Sequence, residues 1–403
     1  MCRRGAMFKQ VLMGCNGVFK ELIGTLKKGT VQQLCCFLML VPVPLVVIGG
    51  GAHEWPMFAG NAARISRSSA NIAPPLELQW RFEANDAIYS SPIVSDGRVY
   101  FASIDGTLYA LNAESGALDW MYHAENEVSV SPIAVDKWVC IGDKGGNFDC
   151  LDKTSGHKAW RFKAQDKIVA SPAADSEFIY FASSDMNLYV IDATNGALVR
   201  KNRVSSRAGN SGIYSSPAVT REAVFVAEKA YTLYAIERNS GRSLWSFDTG
   251  SAVYSGASFD KGMVYIGGYD RKIYALEAAT GALKWERSFD EWIYAVPIPF
   301  DGKLIVTVKD GTFAALEVGG GEMLWELHLD GAASSTPAVT DDGIAYVGTE
   351  YGELYGVDLN QGKVVWKGHL PDDGFHASPA IAGGRVYIGT LNGYLTAWGK
   401  VEK

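Results

Sequence analysis

The chain has 403 residues, of which 48% are hydrophobic and 20% are charged, which is the composition of an ordinary folded globular protein. Its 44 glycines and 12% aromatic residues favour many short strands joined by tight turns. The net charge of −7 argues against a nucleic-acid partner, because binding of phosphates requires a basic surface.

The first 52 residues are predicted to be an extension that includes a signal peptide. Lys27 and Lys28 precede an apolar run over 34–52 that ends in small residues, which is the order of a secretory signal. We expect translation to start at Leu26 and cleavage to follow Ala52, so that the mature protein is periplasmic or secreted. The alternative is a retained membrane anchor, but the run contains two prolines and is barely long enough to span a bilayer.

Two cysteines, Cys140 and Cys150, remain outside this extension. They fall on consecutive predicted strands, at similar distances from the turn over 143–146. Antiparallel pairing would place them opposite each other, and export permits a disulfide. The alternative is a pair of small buried thiols, which are common in protein cores.

A repeat of about 40 residues organises the chain from residue 53 onwards. One position of each unit is held by tryptophan, or once by arginine, at spacings of 40, 40, 40, 45, 40, 40 and 41: Trp80, Trp120, Trp160, Arg200, Trp245, Trp285, Trp325 and Trp366. A glycine stands four residues before each of the last seven positions: Gly116, Gly156, Gly196, Gly241, Gly281, Gly321 and Gly362. The period predicts a repeat architecture in which each unit is one structural element.

Each unit contains four strand-like segments in a fixed order. In the first unit these are the strand after Ser91-Pro92, the strand VYFAS over 99–103, the strand LYAL over 108–111, and the strand that ends at Trp120. Turn residues separate them, and the repeated glycine suits a turn that needs a positive φ. The 3.6-residue period of helical repeats is absent. The pattern therefore predicts an all-β, eight-bladed β-propeller over 53–403, built of four-stranded antiparallel blades.

The strand count also predicts how the ring closes. Seven complete units run from Arg81 to Trp366, and an eighth ends after its third strand at Trp398. A lone strand over 76–80 precedes the first unit. We expect this N-terminal strand to complete the last blade, which would remove the open edges of the array.

The tryptophans are predicted to be structural. A large ring at one fixed position per blade is expected to pack between neighbouring sheets rather than to bind a ligand. Arg200 interrupts the series, so we expect the interface beside it to be the weakest of the ring.

The repeat also carries a family resemblance. The segment ALNAESGALDW over 110–120 resembles the tryptophan-docking repeat of propellers similar to the pyrroloquinoline-quinone proteins. The segment over 275–285 is similar, with Glu277 at the Asp/Asn position, and the opening segment WPMFAGN over 55–61 resembles the entry segment of many such proteins. The resemblance covers about 54–398. It is specific for the fold and weak for function, because one fold hosts many activities.

Two branches of this family imply different functions. The quinoprotein dehydrogenases hold the quinone and calcium at the centre of the ring, usually beneath a pair of adjacent cysteines. The only adjacent pair here is Cys35-Cys36, inside the predicted signal, and the six histidines show no metal-ligand spacing. The other branch is non-enzymatic and includes the outer-membrane assembly factor BamB.

We therefore predict an exported, non-catalytic and monomeric scaffold that binds a protein or a ligand without a cofactor or metal. Envelope or outer-membrane proteins are the candidate partners. The alternatives are a dehydrogenase that depends on pyrroloquinoline quinone with calcium, and a carbohydrate-binding propeller.

The candidate binding surface is the channel mouth, on the face of the turns between second and third strands. Three residues before each Ser-Pro-type proline position stand Tyr89, Ser129, Val169, Tyr214, Tyr254, Tyr294, Ser334 and His376. The binding candidates are Tyr89, Tyr214, Tyr254, Tyr294 and His376, together with Trp292 and Arg271 nearby. The alternatives are that the tyrosines only fill a narrow channel and that the acidic residues beside them, Asp86, Asp290, Asp372 and Asp373, are solvated loop charges.

Overall fold

A computed structural model describes residues 52–205 and 212–400, and all of its regular elements are β-strands. The predicted signal peptide and adjacent-cysteine pair lie outside the described residues. Two strands precede the blades: β1 (Arg67–Ser68) and β2 (Leu76–Glu83).

The first four blades follow in chain order. Blade 1 consists of β3 (Ile93–Ser95), β4 (Arg98–Ala102), β5 (Thr107–Asn112) and β6 (Leu118–His123). Blade 2 consists of β7 (Ile133–Val135), β8 (Trp138–Gly142), β9 (Asn147–Asp152) and β10 (Lys158–Lys163). Blade 3 consists of β11 (Ala173–Ala174), β12 (Phe178–Ala182), β13 (Asn187–Asp192) and β14 (Leu198–Arg203). Blade 4 consists of β15 (Ala218–Val219), β16 (Ala223–Ala227), β17 (Thr232–Glu237) and β18 (Ser243–Asp248).

The remaining strands form the second half of the ring. Blade 5 consists of β19 (Ser258–Asp260), β20 (Met263–Gly267), β21 (Lys272–Glu277) and β22 (Leu283–Ser288). Blade 6 consists of β23 (Ile298–Phe300), β24 (Lys303–Thr307), β25 (Thr312–Glu317) and β26 (Met323–His328). Blade 7 consists of β27 (Ala338–Thr340), β28 (Ile344–Gly348), β29 (Glu353–Asp358) and β30 (Lys363–His369). Blade 8 begins with β31 (Ala380–Ala382), β32 (Arg385–Gly389) and β33 (Tyr394–Lys400).

The topology confirms the predicted propeller of eight four-stranded antiparallel blades. Blade 8 has the order β2-β33-β32-β31, so the N-terminal strand supplies its fourth strand, with Trp80 opposite Ala397. First strands of neighbouring blades contact one another at six of the eight junctions, and one of these contacts joins β31 of the last blade to β3 of the first. Closure therefore joins the two ends of the repeat array within one blade.

Burial explains the strand sequences. In the strand RVYFA of blade 1 the residues after Arg98 are buried because neighbouring blades cover both faces, so they form a run of consecutive apolar residues. The fourth strand, LDWMYH, lies at the outer edge and alternates between exposed and half-buried side chains. The position of each strand in the blade is thus visible in its polarity.

A series of hydroxyl hydrogen bonds connects the first strands. The Ser91 N–H donates to Ser131 Oγ of the next blade at 2.9 Å, and the Ser378 N–H of blade 8 donates to Ser91 Oγ at 3.0 Å. Four equivalent bonds link Ser131 to Ser171, Ser171 to Ser216, Val296 to Thr336, and Thr336 to Ser378. The series is interrupted where Gly256 and Val296 carry no hydroxyl.

The repeated tryptophans contact the following blade. The indole N–H donates to a backbone carbonyl there in four cases, at 2.9–3.2 Å: Trp120 to Lys153, Trp245 to Ala278, Trp285 to Val318, and Trp325 to Leu359. Arg200 makes a substitute contact, because its guanidinium donates to the carbonyls of Arg238 and Asn239. The weakness that we expect at this interface remains a prediction.

An N-terminal segment over 52–75, which sequence patterns did not predict, covers the end of the channel opposite the predicted mouth. It forms hydrogen bonds with seven blades, at the first strand or at the linker that leads into it. The blade residues involved are Val94, Ala134, Ser171, Val219, Phe259, Val339 and Ile381. Its strand β1 runs parallel to β27. The predicted mouth, at the uncovered end of the channel, is therefore the end at which a partner could reach the channel.

A buried arginine anchors this segment. The Arg64 guanidinium is fully buried and donates to the carbonyls of Phe58, Pro217, Ser171 and Pro172. Burial lowers the pKa of Arg64 to about 9, so the group is still charged at neutral pH. The carbonyl oxygens compensate the charge that burial removes from water.

In blade 2, Cys140 lies directly opposite Cys150 in the ladder, and the structure joins the two as a disulfide with Cα atoms 4.0 Å apart. Both side chains are buried, so the bond would connect β8 and β9 inside the blade rather than at the channel mouth.

We expect Gly321→Ala to destabilise the propeller much more than Gly302→Ala. Both glycines have a positive φ, +78° and +75°, so alanine strains the backbone at each. A Cβ at Gly321 would lie 2.6 Å from Trp285, whereas a Cβ at Gly302 would meet nothing within 4 Å. The expected cost is about 1 kcal/mol at Gly302 and roughly 2–4 kcal/mol at Gly321. Urea unfolding measures both, and equal losses would contradict a role for the indole contact.

Candidate binding site at the channel mouth

Two sets of side chains surround the channel mouth at equivalent positions of the blades. The inner set lies on the linkers that lead into the first strands and contains the predicted Tyr89, Tyr214, Tyr254, Tyr294 and His376. The outer set occupies the second residue of each turn after the second strand. Backbone bonds hold that turn to the linker, as from Ile104 N–H to Ala87 O at 3.0 Å and from Lys309 N–H to Trp292 O at 2.9 Å.

Five of the inner side chains form a continuous aromatic arc. The Tyr89 and His376 ring centroids are 4.9 Å apart, and those of His376 and Tyr294 are 6.5 Å apart. Tyr294 stacks on Tyr254 at 5.6 Å, and Tyr254 meets Tyr214 edge-on at 5.7 Å. The structure thus brings together all five predicted ring-bearing residues of the inner set.

A second aromatic group extends the arc outwards over blades 5 and 6. The Tyr269 ring centroid lies 4.9 Å from that of Tyr254, 5.6 Å from that of Tyr294 and 4.7 Å from that of Trp292. Burial and a hydrogen bond with Tyr294 raise the pKa of Tyr269, so its hydroxyl stays protonated at neutral pH. Trp292 is 44% exposed, a large apolar surface for a side chain at the mouth of a channel.

Two lysines stand beside the arc. Lys229 Nζ lies 5.2 Å from the Tyr214 ring centroid and 5.5 Å from that of Tyr254, and interaction with Tyr254 raises the pKa of this lysine. Within 52–205 and 212–400 no carboxylate pairs with it. Lys309 donates to Ser334 Oγ at 2.9 Å and pairs with the Glu350 carboxylate, so its charge is already compensated.

The other predicted residues lie at the rim. The Arg271 guanidinium donates to the Asp290 carbonyl at 3.3 Å and does not join the arc. Asp86 and Asp373 accept from nearby backbone N–H groups, as from Ala87 N–H at 2.7 Å, which is the behaviour expected of loop charges.

Sequence reasoning missed Tyr269, Lys229, Lys309 and Glu350. They share one signal that could have found them: each is the second residue after a V-Y-F/I-type second strand, at the same position of the repeat. Only the fold shows that this position adjoins the inner linkers.

Two features of the cofactor site that the family resemblance implies are not found among the described residues of the mouth. The described part of the chain has no group of three or more His, Cys, Asp or Glu side chains placed to hold a metal ion. The two described cysteines lie inside blade 2. The arrangement of tyrosine rings, an exposed indole and one ammonium group is suited to binding by stacking, hydrogen bonds and charge.

The described residues also contain no helix with the length and apolar character of a membrane span.

Comparison with known proteins gives a consistent family. The family model described as "Outer membrane protein assembly factor BamB" matches residues 74–252 and 229–402. No curated protein matches the chain. The crystal structure of BamB from Moraxella catarrhalis is similar with a TM-score of 0.60 and 18% identity, covering 80% of this chain and 88% of that one.

Enzymes and a designed protein share the same fold. A europium-containing methanol dehydrogenase has a TM-score of 0.71 and 13% identity, over 87% of this chain and 98% of its own. The computationally designed Ika8 protein has a TM-score of 0.70 and 21% identity, over 79% and 98%. At these identities the similarity shows the fold alone.

We expect the channel mouth to lose stability in mild acid because of His376. Burial is the main cause that lowers the pKa of this histidine, although Glu350 opposes it. The unfolded chain, in which the pKa is about 6.5, then binds the proton more readily, so stability falls as the pH drops below about 6.5. His376→Gln should reduce the fall in Tm between pH 7 and pH 5. His157→Gln, at an exposed position, should leave the fall unchanged; an identical fall in both variants would show that His376 does not contribute.

Proposed function

The chain belongs to the family of the outer membrane protein assembly factor BamB, and on this premise we propose that it is an exported, non-catalytic scaffold that binds an envelope protein at its channel mouth. The observation that carries the proposal is the aromatic arc, with Tyr269, Trp292 and Lys229 beside it.

The composition of the arc supports binding to a protein. Tyrosine and tryptophan are enriched at interface centres because they bury a large area, lose little conformational entropy and still offer a polar tip. Trp292 is 44% exposed and Tyr89 is 39% exposed, so both are available to a partner. The Lys229 ammonium, with which no carboxylate of the described residues pairs, would favour a partner segment that carries a carboxylate.

The rigidity of the site supports a scaffold. Each arc residue is held on a linker between two blades, and a buried serine two residues before the proline position fixes several of these linkers. Ser255 Oγ, next to Tyr254, donates to Gly267 O at 2.8 Å, and Ser90 Oγ, next to Tyr89, donates to Ala102 O at 2.8 Å. A preorganised surface loses little entropy on binding.

The runner-up is a quinone-dependent dehydrogenase, which the fold shared with the methanol dehydrogenase favours. It requires that the quinone bind with calcium and that an artificial dye be reduced in the presence of an alcohol. The scaffold is favoured over this enzyme because the described residues of the mouth include no group of three or more His, Cys, Asp or Glu side chains placed to hold a metal ion.

We expect a photo-crosslinking residue at position 292 to capture one defined envelope protein in the native cells. The same residue in place of Met121, which is 62% exposed on an outer strand, should capture none of it. The double substitution Tyr254→Ala and Trp292→Ala should weaken binding of the purified partner by about tenfold or more, the effect of losing aromatic hot-spot residues. Met121→Ala is the matched control and should retain affinity.

Three results would contradict the scaffold proposal. One is capture that is equal from positions 292 and 121. Another is quinone-dependent dye reduction by the purified protein. The third is saturable binding in a glycan screen that the double substitution abolishes, which would identify the arc as a carbohydrate site.

A further inference from the structure

A cavity lies between blades 5 and 6, on the face opposite the channel mouth. Its volume is about 350 Å³, and its lining includes Asp260, Met263, Tyr265, Phe300 and Val318. The lining is apolar except for the Asp260 carboxylate, the Tyr265 hydroxyl and two lysines at the rim. The carboxylate and the hydroxyl are the polar groups that determine which ligand the cavity could bind.

The groove between blades 3 and 4 contains the same pair of residues at the same positions. Tyr180 pairs with the first residue of β11, as Tyr265 pairs with the first residue of β19. Asp175 stands opposite Phe178 as Asp260 stands opposite Met263. The aspartate and the tyrosine therefore occupy equivalent backbone positions in the two grooves.

In the groove between blades 3 and 4 an arginine of the neighbouring blade occupies this position. Arg238 Nη2 lies 2.5 Å from Asp175 Oδ2, and its Nε donates to Tyr180 Oη at 2.9 Å. The Tyr180 hydroxyl in turn donates to Asp175 Oδ2 at 2.8 Å. Asp175 and Arg238 are both buried or nearly so, and this geometry is that of a built guanidinium site.

The residue equivalent to Arg238 in blade 6 is Val318. Each directly follows its third strand, and each backbone N–H donates to a carbonyl of the turn after its first strand: Glu222 for Arg238 at 2.8 Å and Gly302 for Val318 at 3.2 Å. Valine supplies no cation and is too short to fill the groove. The cavity thus corresponds to the space that the Arg238 side chain occupies two blades earlier.

The Asp260 and Tyr265 pair is consequently left without the group that its counterpart holds. Over the described ranges the structure gives Asp260 no ion pair and the Tyr265 hydroxyl no hydrogen bond. Tyr265 is nevertheless only 2% exposed. Of the rim lysines, Lys284 pairs with Glu277 at 3.2 Å, and Lys261 lies in the exposed turn without a bond to Asp260. Neither replaces Arg238.

A second groove shows the same use of a cation from the next blade. Lys153 of blade 2 stands at the position equivalent to Arg238, and its ammonium donates to Ser95 Oγ at 3.1 Å and pairs with Asp96. Cations at this position of the repeat therefore satisfy acidic groups of the preceding blade.

We propose that the cavity between blades 5 and 6 binds an alkylguanidinium group supplied by another molecule. The planar guanidinium would donate to the Asp260 carboxylate and to Tyr265 Oη, as Arg238 does in its own groove. The alkyl stem would pack against Met263, Phe300 and Val318. The same chemistry is offered by a free alkylguanidine and by an arginine side chain of a protein.

Calorimetric titration with n-butylguanidinium tests the site in the whole protein. We expect saturable binding at one site, and no binding of n-butylurea, the neutral isostere. Asp260→Asn should weaken binding by about tenfold or more, because a charge-assisted pair is lost. Asp301→Asn, in the exposed turn of blade 6 and outside the cavity lining, is the matched control and should bind as the parent does.

A second variant supplies the missing cation internally. Val318→Arg should abolish binding of n-butylguanidinium and raise Tm, because the new side chain repeats the Arg238 contacts. The matched control is Ala278→Arg between blades 4 and 5, where Thr220 and Phe225 stand at the positions of Asp260 and Tyr265 and the carboxylate of the lining, that of Glu222, is exposed; it should not raise Tm.

The source of the guanidinium is distinguished by a short peptide with one internal arginine. Tighter binding of the peptide than of n-butylguanidinium indicates a protein partner, and the reverse indicates a free alkylguanidine. The proposal is overturned if n-butylguanidinium does not bind saturably, if n-butylurea binds equally well, or if Asp260→Asn binds unchanged. Since this site is remote from the channel mouth, none of these results bears on the scaffold function.

Discussion

The close contact between a fourth-strand side chain, an indole at most positions, and the turn glycine of the next blade is the constraint on which the propeller depends. The turn needs a positive φ, and the indole leaves no room for a Cβ: at Gly281 that atom would lie 2.6 Å from Trp245. Both requirements fall on a single residue, so the glycine and the ring recur together in the sequence. Where Arg200 replaces the ring, Gly241 is equally crowded, by Arg200 and Asn202, which shows that the close approach does not require an indole.

The contact with the turn glycine fixes each blade relative to the next. Hydrogen bonds to hydroxyl groups at the first strands then complete the ring. The series is interrupted at Gly256 and Val296, in the blades whose linkers carry Tyr254 and Tyr294. At Gly256 a Cβ would lie 3.1 Å from Ser216 O, so a side chain at this position would be in tight contact with the preceding blade. The blades that lack the hydroxyl hydrogen bond are therefore in the same part of the ring as the cluster of aromatic side chains.

Most of the fold and half of the site could be predicted from the sequence, for a physical reason. Strand order, closure by β2 and the inner set of mouth residues all depend on local periodicity, which a repeat displays many times. The segment over 52–75 occurs once, and it is held by backbone carbonyls and by the buried Arg64, which leave no periodic pattern. Tyr269 and Lys229 were missed because their importance depends on which turn lies beside which linker, a property of the closed ring.

Function in such a chain is to be sought where equivalent positions differ. A side chain that recurs in every blade satisfies a demand of the scaffold, as the turn glycine does, whereas one that occurs in a few blades is free to serve another purpose. Tyr254 stands where blades 2 and 3 have Ser129 and Val169, and Val318 stands where blade 4 has Arg238. Because the backbone is the same in each case, the difference in side chain accounts for the difference in surface: an aromatic arc at one end of the channel, and at the other face a cavity whose carboxylate forms no ion pair with the described residues.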